Sequence, residues 1–414
     1  MPSLAATRRL RSSDTRRCRP RPDRTRSSDR RGRFARRVRV TRRSVTPAWR
    51  LAGGSRPVLS HFLDKPRART AAARVPARWV AAARNGTVSL PIRPGMTVPL
   101  PGPLHSHRDK LVELADLGYT DIWSAEADGA DAFTPLALAA AWEPRLRLGT
   151  AIVPAFTRSP ACFAQCVATL ADAAPGRFAI GIGSSSNVIV ERWNGVPFAE
   201  PYKKVRDVVR FLRDALGGEK VAKAYDTFEV QGFRLNIRPE QPPPILIAAL
   251  RAGMLGLAGR EADGVIINWL APEDVAKVVG VVSAAAGGAE REVVARIFVC
   301  PSENTAAVRA GARMAIAAYL NVPVYAEFHR WLGRGDQLQP MWDAWAAGDR
   351  KGALAAIPDE VVDALVVHGP AAKCRRRIQQ YFDEGVTTSS LAIMPLDPEL
   401  SHREAVRQLA PTAS

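Results

Sequence analysis

Cysteine and histidine are scarce in this chain of 414 residues, and their scarcity excludes whole classes of protein. The five cysteines, at positions 18, 162, 166, 300 and 374, share no framework spacing. That argues against a disulfide scaffold and for a reducing, cytoplasmic setting. Cys162 and Cys166 lie at i, i+4 with no further thiol or imidazole beside them, so they read as helix residues and not as metal ligands. The six histidines, at 61, 105, 107, 329, 368 and 402, are scattered and build neither a metal cluster nor a triad. No apolar run approaches the ~18 residues that a membrane helix needs. Leu4–Ala6 is too short for the apolar region of a secretory signal.

Acid is scarce in one place only. Residues 1–95 hold 25 Arg and one Lys against four Asp (14, 23, 29 and 64), whereas residues 96–414 hold 33 basic and 36 acidic side chains. The formal charge of +19 therefore belongs to the first segment, and the body is near neutral. The Arg-Ser-Asp-Pro mixture of residues 1–95 repels itself too strongly to bury a core and predicts disorder. Three roles fit such a segment: a basic arm neutralising nucleic-acid phosphates, a transit peptide, or sequence translated ahead of a start at Met96. Four acids and no amphipathic helix count against the second. Near-exclusive Arg over Lys is what GC-rich codons yield, and favours the third over a nucleic-acid partner. The expected division is a disordered segment at 1–95, an enzyme body at 96–397 and a C-terminal tail at 398–414.

From Met96 short apolar strands alternate with amphipathic helices, the pattern of a parallel sheet with crossover helices. Strands are expected at Met96–Leu100, Asp121–Ser124, Leu146–Val153, Arg177–Gly183, Ile245–Ala249, Val265–Asn268, Val293–Cys300 and Ser389–Met394. Helices are expected between them. One over His107–Leu117 stops at Gly118, and another places Phe163, Cys166, Val167 and Leu170 on one face. Thr227–Asn236 alternates about Gly232 and reads as an inserted hairpin; residues 304–357, with Trp331, Trp342 and Trp345, read as a helical insertion late in the barrel. Eight strands with intervening helices predict an α/β fold of the (β/α)8 TIM-barrel type, with an open doubly wound sheet as the alternative.

In a barrel, chemistry belongs where strands end and loops begin, and four junctions stand out. Gly181–Ser186 offers close backbone approach and the three hydroxyls of Ser184, Ser185 and Ser186, suited to an anion or a polar ring, or else to a tight turn. Leu250, Arg251, Ala252 and Gly253 run from a strand into a helix start whose small side chains expose N–H groups; a phosphate site and a plain loop are both open. Thr150–Phe156 breaks at Pro154, with small residues beside a strand end. Trp123–Gly129 puts Glu126 after a buried strand, as a general acid/base, a positioning group or a solvated carboxylate.

Four further stretches carry a family likeness: Leu117–Trp123 (LGYTDIW), Arg145–Thr150 (RLRLGT), Pro175–Gly183 (PGRFAIGIG) and Ala258–Gly264 (AGREADG). In this order and spacing the chain resembles the luciferase-like flavin/deazaflavin oxidoreductase superfamily, particularly its coenzyme F420-dependent branch, over residues 96–395. The resemblance implies a barrel holding an isoalloxazine-type ring at the strand C-termini, in a homodimer acting on a small-molecule substrate. It implies a non-prolyl cis peptide at Ala151–Ile152 behind the ring, the cofactor phosphate at Leu250–Gly253, Ser184–Ser186 near ring or substrate, and Asn268 as a polar residue at the sixth strand's end. It also exposes a departure: the family's acid–His pair after the second strand is here Glu126–Ala127, so the usual proton donor is missing, with His105 or His107 as substitutes.

These features lead to an F420-dependent oxidoreductase that moves a hydride between the deazaflavin C5 and a small organic substrate. A reduced-FMN monooxygenase is the rival within the fold. A non-catalytic flavin-binding barrel and a nucleic-acid-binding protein acting through residues 1–95 are the rivals outside it.

Overall fold

The structure is a computed structural model and describes residues 90–413. The disorder expected of residues 1–89 and the nucleic-acid reading that depends on them lie outside the described residues. Eight strands form the barrel: Gly95–Val98, Asp121–Ser124, Arg147–Thr150, Phe178–Gly183, Ile245–Ala248, Gly264–Asn268, Glu292–Cys300 and Thr388–Ile393. Each pairs in parallel with its neighbour, and the eighth pairs with the first at Met96↔Leu391, so the sheet is closed. Closure bears out the TIM barrel and removes the open sheet from consideration.

Period-2 alternation explains why these strands are apolar on both faces. Met96, Ile122, Leu148, Ile180, Ile182 and Val265 join the outer core under the helices. Trp123, Ala179, Leu246, Ile266 and Val294 form a separate cluster in the lumen. The Arg108–Asp116 helix ends as its glycine suggests. Gly118, at φ +89°, lets its own N–H reach Ala115 O and that of Tyr119 reach Leu114 O, both at 3.1 Å.

Four boundaries differ from the sequence reading. The barrel begins before Met96: Gly95 is in the first strand, and Arg93 donates to Thr387 O (2.8 Å) and accepts from Ser389 N (3.0 Å). Composition had grouped Arg93 with the basic segment, but its guanidinium lies 3.8 Å from the buried Asp121. The inserted hairpin pairs Val221–Ala224 with Glu229–Phe233, and its turn is made by residues 225–228. Gly232, at φ +84°, sits inside the second hairpin strand; the register shift lies opposite, between Val221 and Ala222. The buried Asp207 sets the turn instead, accepting from the backbone N and Oγ1 of Thr227. The insertion after the seventh strand runs on beyond residue 357 through the helix Asp359–Leu365. It ends in a strand, Val366–His368, that pairs with the seventh over Phe298–Cys300. Finally, residues 398–413 are not a free tail. The helix His402–Gln408, capped by Ser401, buries Val406 against the core and receives the Tyr119 hydroxyl at Val406 O. Among the described residues no helix is long and apolar enough to cross a membrane.

The lumen is closed at the strands' N-terminal end by charge. Arg147 makes two bonds to Glu292 across the barrel (2.7 and 2.8 Å) and one to Asp121 (3.0 Å), and Thr388 Oγ1 donates to Glu292. Burial acts to raise both carboxyls. Arg147 overrides it for Glu292, which is held below the usual carboxylate range, while the fully buried Asp121 stays above it. Replacing Arg147 with Met leaves two buried carboxyls without their shared cation. The expected loss is about 3–5 kcal/mol of unfolding free energy, measured by urea denaturation. A change within about 0.5 kcal/mol would show that the ionic floor contributes little to holding the barrel.

Candidate active site at the C-terminal mouth of the barrel

The opposite end of the lumen is built by a break in the third strand. Pairing with the fourth strand runs Leu148↔Phe178 and Gly149↔Ala179, then resumes at Val153↔Ile182, so the third strand carries one extra residue. Thr150 fills the gap: its Oγ1 donates to Gly181 O (2.9 Å) and accepts from Gly181 N (2.8 Å). A Cβ on Gly181 would lie 2.0 Å from Thr150 O and 2.3 Å from Ile266 Cδ1, so no larger residue fits beside the bulge. The Ala151–Ile152 peptide is cis, as the resemblance implied. It is held on both sides, with Ala151 N donating to Ser124 O and Glu126 N donating to Ile152 O (3.1 Å). The ends of the second, third and fourth strands are thus tied into one ledge, with Ala151, Ile152 and Ala248 facing the lumen cluster.

Glu126 stands on that ledge in an ion pair with Arg158 (2.7 Å), and both side chains are largely buried. The Arg158 guanidinium also lies over the Phe133 ring at 4.9 Å. Neither candidate histidine joins it. His107 is buried behind the mouth with Nε2 on Gly102 O (3.0 Å), and His105 is exposed in a short turn. Among the described residues there is no group of three or more His, Cys, Asp or Glu that could hold a metal ion.

The three serines divide. Ser186 Oγ accepts from Ile189 N and its carbonyl accepts from Val190 N, so it starts the helical turn Val188–Trp193. Ser184 and Ser185 are half-buried, and Ser185 adopts φ +62°. After the fifth strand, the helix Ala252–Glu261 begins with no side-chain cap and no acid in its first turn. Arg251, Ala252 and Gly253 are exposed, and among the described residues nothing beyond the helix's own first turns lies within 4 Å of where a Gly253 Cβ would be. Leu250 packs inward against the core. The first N–H groups of this helix therefore face open space, with the Arg251 charge beside them. Asn268, at the end of the sixth strand, places Nδ2 3.4 Å from the Tyr325 hydroxyl and leaves a buried Oδ1 with no partner.

Sequence reading missed the opposite wall. Arg296 lies between Asn268 and Ser390 in register, and Ser390 Oγ is 3.0 Å from Thr97 Oγ1. Trp269 stacks on Phe298 (4.0 Å between centroids), with Tyr319 and Tyr325 of the insertion beyond it. One signal was available. Glu292, Val294, Arg296 and Phe298 alternate along one strand, and a cation in a lumen-facing position is unusual. The insertion's tryptophans, by contrast, pack under cations: Lys277 over Trp331, Arg330 over Trp342 and Arg350 over Trp345.

Residues 85–388 match the luciferase-like monooxygenase family model. A provisionally named coenzyme F420-dependent oxidoreductase of Mycobacterium tuberculosis is 26% identical over 315 residues, covering 69% of this chain and 90% of that protein. The 5,10-methylenetetrahydromethanopterin reductase of Archaeoglobus fulgidus is 27% identical over 303 residues, covering 70% and 89%. Among solved structures, the coenzyme F420-dependent tetrahydromethanopterin reductase of Methanopyrus kandleri superposes with a TM-score of 0.64 at 21% identity, over 77% of this chain and 97% of that one. With the family model spanning most of its length and the same barrel in its neighbours, the chain belongs to the luciferase-like monooxygenase family, a family of oxidoreductases.

Proposed function

We propose that the chain is a coenzyme F420-dependent oxidoreductase that moves a hydride between C5 of the deazaflavin and a small organic substrate. The observation that carries this reading is the uncapped helix start at Ala252, which opens on the same end of the barrel as the bulged third strand. Oriented N–H groups beside Arg251 suit a phosphate, and the bulge leaves a ledge of small residues on which a flat ring can lie. The name of the Mycobacterium relative supports F420 over FMN.

In this reading Leu250, Arg251, Ala252 and Gly253 hold the phosphate, and Ala151 and Ile152 back the ring. Ser184, Ser185, Ser186 and Asn268 border the ring or the substrate. When bound, the deazaflavin supplies a two-electron hydride donor or acceptor; the chain's part is to orient and to exclude water. Glu126 is the acid/base or positioning candidate, its carboxylate held in place by Arg158. A homodimer is part of the proposal and is read by light scattering.

A solved neighbour keeps a second reading in view. The oxygenating constituent of 3,6-diketocamphane monooxygenase from Pseudomonas putida, in complex with FMN, superposes with a TM-score of 0.55 at 14% identity. Titrating the purified full chain with F420 and with FMN in parallel separates the two. Saturable binding of F420 without FMN is expected; tight FMN binding with no F420 binding would overturn the assignment. A second test bears on the phosphate alone. In Gly253→Glu an acid enters an open first turn, so helix stability should hold or rise by about 0.3–1 kcal/mol. Cofactor affinity should fall by roughly tenfold. Unchanged affinity would place the phosphate elsewhere.

A further inference from the structure

Arg296 is a cation without a counter-charge among the described residues. It follows Val294 on the lumen face of the seventh strand, so it stands at the C-terminal mouth directly above the apolar cluster. Its Nε is buried with no hydrogen-bond partner, and no ion pair to it forms among the described residues. The guanidinium leans over the Phe298 ring at 5.1 Å. Its register neighbours, Asn268 and Ser390, are neutral. The buried Asn268 Oδ1 is likewise unpartnered. Burial pushes the Tyr325 phenol up to about 12, which keeps it a hydrogen-bond donor beside them.

The other lumen arginine shows what this chain does when charge serves structure. Arg147 is fully engaged by Glu292 and Asp121. A half-sealed guanidinium with none of these partners is costly to keep unless something else brings the anion. From this contrast we infer that Arg296 anchors a subsite for a carboxylate group of the substrate. One guanidinium among neutral hydroxyl and amide groups balances a single negative charge, and its planar fork matches a carboxylate. A phosphate, with nearly twice the charge, suits the helix start after the fifth strand, two strands away. The inference deepens the proposed function by naming a substrate class. It rests on the mouth being the active site, not on which cofactor binds there.

The test uses the cofactor-free full chain, so that a wrong cofactor assignment cannot mask it. Benzoate and hexanoate are titrated by calorimetry against benzamide, hexanamide and inorganic phosphate. The carboxylates should bind saturably and at least about tenfold more tightly than their amides. That preference should vanish in Arg296→Met and survive in part in Arg296→Lys. The Met variant should melt at or above the wild-type temperature, because an unpaired charge is removed. If the Met variant fails to fold, the Lys variant alone decides, by a weakened but present preference. Equal binding of acid and amide by the wild type, a preference for phosphate, or benzoate affinity unaltered in Arg296→Met would each overturn the inference.

Discussion

Everything in this barrel is arranged around one indole. Trp123 fills the lumen, and Gly149 on the neighbouring strand exists as glycine because a Cβ there would sit 2.2 Å from the ring. Ala179, Leu246, Ile266 and Val294 close round it from the other strands. An eight-stranded barrel has an interior just wide enough for side chains to fill, so one large ring opposed by a missing side chain settles how the strands meet. The Arg147 guanidinium lies below the ring, 5.6 Å from its centroid, and the ledge of the candidate site lies above.

Three layers of different polarity follow. The floor is charged and internally paired, the middle is filled by apolar side chains around the Trp123 indole, and the mouth carries the polar side chains Asn268, Arg296 and Ser390. Arg147 and Arg296 face the same lumen from opposite ends, yet among the described residues one has three bonds to carboxylates and the other has none. Buried polar atoms are normally paired. Two of the buried atoms left without a partner among the described residues, Asn268 Oδ1 and Arg296 Nε, lie at the end where a barrel binds its ligands, and on these the proposed subsite rests. The ionic pairing lies below the ring, and the proposed site lies above it.

Much of this was legible beforehand because its causes are local. Strand–helix alternation, the glycine stop at Gly118 and the break at Pro154 each act within a few residues. The helix start at Ala252 could be recognised from its small residues alone. The turn of the hairpin was misjudged because Gly232 signals positive φ, which serves an irregular edge as well as a turn; the choice fell to Asp207, distant in sequence. Arg93 was misassigned for the same kind of reason. Composition counts its charge, but only the barrel brings Asp121 to it. The C-terminal residues looked like a tail because nothing nearby showed that Tyr119 would receive them.

The sequence by itself determined the barrel, the family likeness, the order of the strand-end motifs and the absence of an imidazole after Glu126. These depend on residue type and short-range period. Tertiary structure alone decided which charges are paired. Glu126 met Arg158, Arg147 met Glu292, and Arg296 met no acid among the described residues, because closing the sheet sets strands against one another that are far apart in the chain. Charge is written in the sequence; whether it is neutralised depends on distance, and distance exists only once the barrel is closed.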